Sequence, residues 1–124
     1  MEWDIVKIDQ TKGNNAPFVS IGRGKLDFHA VACELVQDDG SYKYAQLLTG
    51  KDKGKTVVAV KFLKEFENNT IPIKRKTQKG KRIKGMTVAN KGAISDLFGK
   101  DGINDGMVRY GVELVGENIL KILH

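Results

Sequence analysis

Apolar positions along the chain follow two periods, and the switches between them mark the elements. Residues 2–8 alternate, with Trp3 and Ile5 on one side and Val6 and Ile8 on the other, which predicts a first strand with Trp3 in a core or interface. Thr11-Lys12-Gly13-Asn14-Asn15 supplies a turn, and Phe18-Val19-Ser20-Ile21 a second strand ended by Gly22-Arg23-Gly24. The period then changes. Phe28, Val31, Ala32, Leu35 and Val36 repeat at helical spacing behind Asp27, whose carboxylate can cap the first turn. Asp38-Asp39-Gly40 stops that helix. Residues 42–48 and 56–63 return to the strand pattern, joined by a polar loop over 49–55, and residues 65–70 form a further loop.

The second half follows the same order. Met86-Thr87-Val88 predicts a short strand. Asn90 is a second cap candidate, ahead of the stripe Ala93, Ile94, Leu97 and Phe98 and the stop Gly99. After a loop over 100–106, residues 107–115 and 118–123 predict a hairpin turned at Gly116-Glu117. A shift of 62 pairs Leu26 with Val88, Ala32 with Ile94 and Leu35 with Leu97. A shift of 66 pairs Tyr44 with Tyr110, and a shift of 60 pairs Val60 with Leu120. Either the units are a pseudo-twofold duplication or they share only a binary pattern. The expected architecture is one α+β, β-rich domain over 1–124. It comprises an N-terminal hairpin (1–23), a strand-helix-hairpin unit (24–66), a basic connector (67–85) and a second such unit (86–124).

Charge singles out the connector. Lys74, Arg75, Lys76, Lys79, Lys81, Arg82 and Lys84 are seven basic residues, and no acid lies between Asn68 and Ser95. The chain is formally +6, so the remainder without these seven is −1. A basic segment on a near-neutral body is the electrostatic footprint of a polyanion binder. Ile71 and Ile73 alternate before it, Ile83, Met86 and Val88 follow, and Gly80 sits where a turn would go; it reads as a two-stranded basic ribbon or a long loop. Arg23 and Lys25, among glycines, extend the candidate phosphate-binding set. Phe18, Tyr42 and Tyr44 are candidate platforms for unpaired bases, at alternating strand positions that equally suit half-buried sheet residues.

The segment from Thr87-Val88-Ala89-Asn90-Lys91 through Leu97-Phe98-Gly99 to Val108-Arg109-Tyr110-Gly111-Val112-Glu113 and Ile119-Leu120-Lys121-Ile122 resembles the swapped-hairpin bacterial transition-state regulators. The resemblance extends over about residues 24–63 and 85–124. It implies a strand, a short helix, a glycine and an alternating hairpin, two copies in one chain, double-stranded DNA binding and transcription regulation. The basic ribbon and strand aromatics are also similar to small coactivator-like domains that bind single-stranded DNA on a curved antiparallel sheet.

Other chemistry is weaker. Gly50-Lys51-Asp52-Lys53-Gly54-Lys55-Thr56 has three residues between its glycines where a nucleotide-phosphate loop needs four, and it lies between strands; no ATP or GTP site is expected. His29 and Cys33 are four apart on the first predicted helix but lack further ligands, so no metal or other cofactor is expected. No catalytic arrangement emerges, and Asp38-Asp39 has no evident acid–base partner. No apolar run approaches the roughly 20 residues of a membrane helix. One cysteine, with an acidic N-terminus unlike a secretory leader, suits the cytoplasm. The expected function is a non-enzymatic binder of DNA or RNA. The alternative is a phage or mobile-element accessory or inhibitory factor docking its basic segment on an acidic protein. Sheet edges in so small a chain also predict a homodimer.

Overall fold

The computed structural model describes residues 2–4, 16–78 and 80–123, and the side chains of 76–78 and 81–84 lie outside that description. Eight strands form one closed antiparallel barrel. They are β1 (Phe18–Gly22), β2 (Lys25–Phe28), β3 (Tyr44–Asp52), β4 (Lys55–Leu63), β5 (Thr70–Gln78), β6 (Lys81–Ala89), β7 (Val108–Gly116) and β8 (Ile119–Leu123). Among the described residues three short helices accompany them: α1 (Ala30–Leu35), α2 (Lys91–Phe98) and α3 (Lys100–Ile103). Around the barrel the order is β1-β2-β6-β5-β3-β4-β8-β7, and β7 closes on β1.

This overturns the α+β expectation of two strand-helix-hairpin units joined by a connector. The expected connector, 67–85, is structural: β5 and β6 form a hairpin that completes the wall between β2 and β3. Each half is therefore hairpin, helix, hairpin, and the halves interleave in one barrel. Advancing every strand by four converts the order into itself. The register carries the same relation. Leu26 lies opposite Val88, and Val60 opposite Leu120. These are the residues that the sequence shifts of 62 and 60 equate. The shift of 66 is corrected. Leu47 opposes Val60 and Leu114 opposes Leu120, so Leu47 corresponds to Leu114, one residue beyond that shift.

Alternation builds the core. Val19, Ile21, Leu26, Phe28, Ala45, Val58, Val60, Phe62, Met86, Val88, Leu120 and Ile122 point inward and are buried, and the Phe28 and Phe62 rings meet edge to face at 5.2 Å. Burying each of the larger side chains is worth about 1.5–3 kcal/mol. Ala32, Cys33, Val36 and Ile94 join this core from the helical segments.

Four local expectations change. Asp27 and Phe28 belong to β2, and α1 begins after His29, which makes no side-chain cap bond. Phe28 fits a helical stripe only because an inward strand position can mimic one. The loop expected over 49–55 shrinks to Lys53-Gly54, both at positive φ, as a two-residue hairpin turn requires. Arg23-Gly24 makes the same turn between β1 and β2, so the first hairpin lies further along the chain than 1–23. Of the strand expected at 2–8, residues 2–4 are described and are not strand; Trp3 is 84 % exposed and outside the core. Residues 5–8 and the turn at 11–15 lie outside the described residues. The second helix matches its expected caps: the Asn90 side chain accepts from the Ala93 amide at 3.0 Å, and Gly99 ends the helix at φ 62.

Candidate nucleic-acid interface

The basic segment is a two-stranded arm held at its base. β6 pairs with β2 only over Met86–Ala89, and β5 pairs with β3 only over Thr70–Pro72. Beyond those rows, among the described residues, β5 and β6 pair with each other alone, with an irregularity between Arg75 and Thr77. Of the expected ribbon or loop, the ribbon is what forms. Lys79 lies outside the described residues, as do the side chains of Lys76, Lys81, Arg82 and Lys84.

Arg75 is not available to a phosphate. Its Nη1 donates to Asp38 Oδ2 at 2.5 Å and its Nη2 to the Tyr42 carbonyl at 2.8 Å. The side chains of this pair are 12 % and 6 % exposed. Asp38 Oδ1 accepts from the Gly40 amide at 3.0 Å, so both its oxygens are engaged. Arg75 thus ties the arm to the turn after α1. In sequence Asp38 reads as part of a helix stop; a separation of 37 positions hides the pair.

The register brings other candidates onto one outer face. Tyr44 pairs with Pro72, and Lys25 with Ala89; the β5–β6 register continues this row across the wall. The next row toward the arm runs Asp27, Thr87, Lys74. Lys25 and Lys74 are both exposed, two strands and one row apart, or about 12 Å at the usual spacings. Asp27 intervenes, accepting from the Thr87 hydroxyl at 3.3 Å. Arg23, at the turn beyond Lys25, is exposed and donates from Nε to the Asp105 carbonyl at 2.9 Å.

The aromatic candidates separate. Tyr42 donates its hydroxyl to the Val36 carbonyl at 3.0 Å and lies 5.9 Å from the Phe62 ring, so it is packing rather than platform. Burial raises its phenol above the ordinary value. Phe18 lies 4.1 Å from His29 and has the Arg109 guanidinium 4.4 Å over its ring. Tyr44 meets Phe66 edge to face at 5.7 Å, and Phe66 is 67 % exposed. Phe66 was missed from sequence. An aromatic in the acidic loop segment Glu65-Phe66-Glu67, with no periodic reason to be there, was the available signal.

His29 is engaged with Ser20 Oγ at 3.3 Å, and the Cys33 thiol donates to the Phe28 carbonyl. Among the described residues no group of three His, Cys, Asp or Glu side chains could hold a metal. No helix among them is long and apolar enough to cross a membrane. No protein-family model, curated protein or solved structure matches the chain.

Proposed function

We propose that this chain is a non-enzymatic nucleic-acid-binding protein, working in the cytoplasm, that engages phosphates along the β5–β6 arm and its adjoining wall. The supporting observation is the shared face. Lys25 and Lys74 stand on the outer wall from which the arm extends, with the Tyr44–Phe66 pair one strand beyond β5. Lys74, Lys76, Lys79, Lys81, Arg82 and Lys84 are the proposed phosphate contacts, with Arg23 and Lys25 extending the track. Phosphate contacts position a ligand without reading its sequence, so little base preference is expected. The exposed Phe66, backed by the half-buried Tyr44 beside a basic track, favours unpaired bases, because any base can stack on it.

The test is fluorescence anisotropy with labelled single-stranded DNA, duplex DNA and RNA of equal length over a salt series. Six arm cations set a ceiling on the log-affinity against log-salt slope of about −4 for single strands and about −5 for duplex. The triple substitution Lys79→Gln, Lys81→Gln, Arg82→Gln should weaken binding and flatten that slope by about 2 on single strands. Phe66→Ala should weaken single-strand binding with the slope unchanged. A slope untouched by the triple substitution overturns the proposal, and retention of an acidic protein by the arm would replace it.

A further inference from the structure

The wall opposite the basic arm has different chemistry. The outward positions of β3, β4, β8 and β7 include Leu48, Val57, Ala59, Ile119 and Leu123, which an ordinary solvated sheet face would fill with polar residues. The helices pack against β1, β2 and β6 on the other side of the barrel. A shallow groove of about 420 Å³ runs along this wall, lined by Leu48, Val57, Ala59, Val115 and Ile119 with Lys121 at its side. That space falls within the roughly 300–1,000 Å³ of ordinary ligand sites. Val115 is 52 % exposed, and Leu114 and Leu123 on the same hairpin are also exposed. Lysines 51, 53, 55, 61 and 121 surround the apolar strip, against Asp52, Glu113 and Glu117, with Lys121 3.6 Å from Asp52. An occupant should therefore be apolar with acidic residues interspersed.

The chain carries such a segment. Its first ten residues place Glu2, Asp4 and Asp9 among Trp3, Ile5, Val6 and Ile8, with Lys7 as the one cation. That segment leads into Pro17, whose carbonyl accepts from the Val112 amide at 3.3 Å, beside the hairpin that bounds the groove. Fifteen residues reach up to about 50 Å when extended. Trp3, 84 % exposed on its own protomer, is free to be buried elsewhere. We infer that the groove between the β3–β4 and β7–β8 hairpins is the docking site for the N-terminal segment of a second copy of this chain. Trp3 sits on the strip, and Glu2 and Asp4 face the lysines. Because each segment leaves the barrel beside its own groove, two copies exchange segments reciprocally, and the basic arms stay free on the outer walls.

Trp3 is the only tryptophan, so its fluorescence reports directly. The full-length protein should show emission shifting to the blue, and falling quencher access, as concentration rises, in step with a monomer–dimer transition by light scattering. Val115→Lys changes an exposed position and should raise the dimer dissociation constant about tenfold or more, with far-UV circular dichroism unchanged. Emission of a solvated indole at every concentration overturns the inference. So does a blue shift independent of concentration, which would seat the segment on its own barrel, or a dimer that Val115→Lys leaves intact.

Discussion

Replacing Asp38 with alanine removes the acceptor of Arg75 Nη1 and of the Gly40 amide together. The guanidinium keeps one acceptor, the Tyr42 carbonyl. With side chains only 12 % and 6 % exposed, little solvent screening offsets the loss. Removing one partner of a buried pair costs about 3–5 kcal/mol, because the other charge is left uncompensated. The surviving carbonyl bond puts this case near about 3 kcal/mol. In a chain of this length that lowers the thermal midpoint by about 12 °C, at about 4 °C per kcal/mol. Urea unfolding followed by far-UV circular dichroism would measure it on Asp38→Ala, Arg75→Met and the double variant. The double variant should be less destabilised than the sum of the singles, with a coupling of about 2 kcal/mol. A loss under about 1 kcal/mol for Asp38→Ala, or strict additivity, would refute the anchoring role.

Other expectations are simpler. Asn90→Ala removes the α2 cap bond and should cost about 1 kcal/mol in the same unfolding assay, against a few tenths for Asn90→Gly. Gly102→Ala would place its Cβ 2.7 Å from the Ile94 carbonyl oxygen, so α3 must move off α2; a loss of about 1–3 kcal/mol is expected, and a neutral result would mean the contact relaxes freely. Stability should fall as pH rises above about 10. Burial, then the Glu117, Asp39 and Asp38 carboxylates, raises the Tyr42 phenol above its ordinary 10.0. The unfolded phenol thus loses its proton first, and ionisation favours the unfolded chain from about pH 10 up through the folded pKa. Urea midpoints between about pH 9 and 11 should decline less steeply in Tyr42→Phe; an equal decline would clear Tyr42 of the effect.

Local chemistry was readable in the sequence wherever one period or one cap decided the outcome. Val58, Val60 and Phe62 alternate cleanly and point inward, and Asn90 and Gly99 bound α2 as their side chains dictate. Asp27-Phe28 was not decidable alone, because Phe28 satisfies a strand and a helical stripe at once; pairing with β1 and β6 settles it. Barrel closure was illegible for a different reason. It depends on β2 meeting β6 and β5 meeting β3, contacts between distant hairpins that no local pattern encodes. The same distance hid Asp38 from Arg75. Charge density picked out the arm, while placing Lys25, Lys74 and Tyr44 on one wall required the register.

The interleaved strand order has a consequence for how the chain can assemble. The first half cannot close alone, because β2 needs β6 and β3 needs β5. Since advancing four strands reproduces every neighbour, a half-length chain would find the missing partners in another molecule of itself. The arrangement is that of two interleaved half-barrels joined by a covalent tether, residues 64–69 between β4 and β5. The tether replaces a concentration-dependent encounter by an intramolecular one. Severed there, the two fragments should be unfolded apart and folded together. Because the two halves of one chain need not be identical, the β1–β2 hairpin has strands of five and four residues, whereas its counterpart β5–β6 has strands of nine and carries the basic arm.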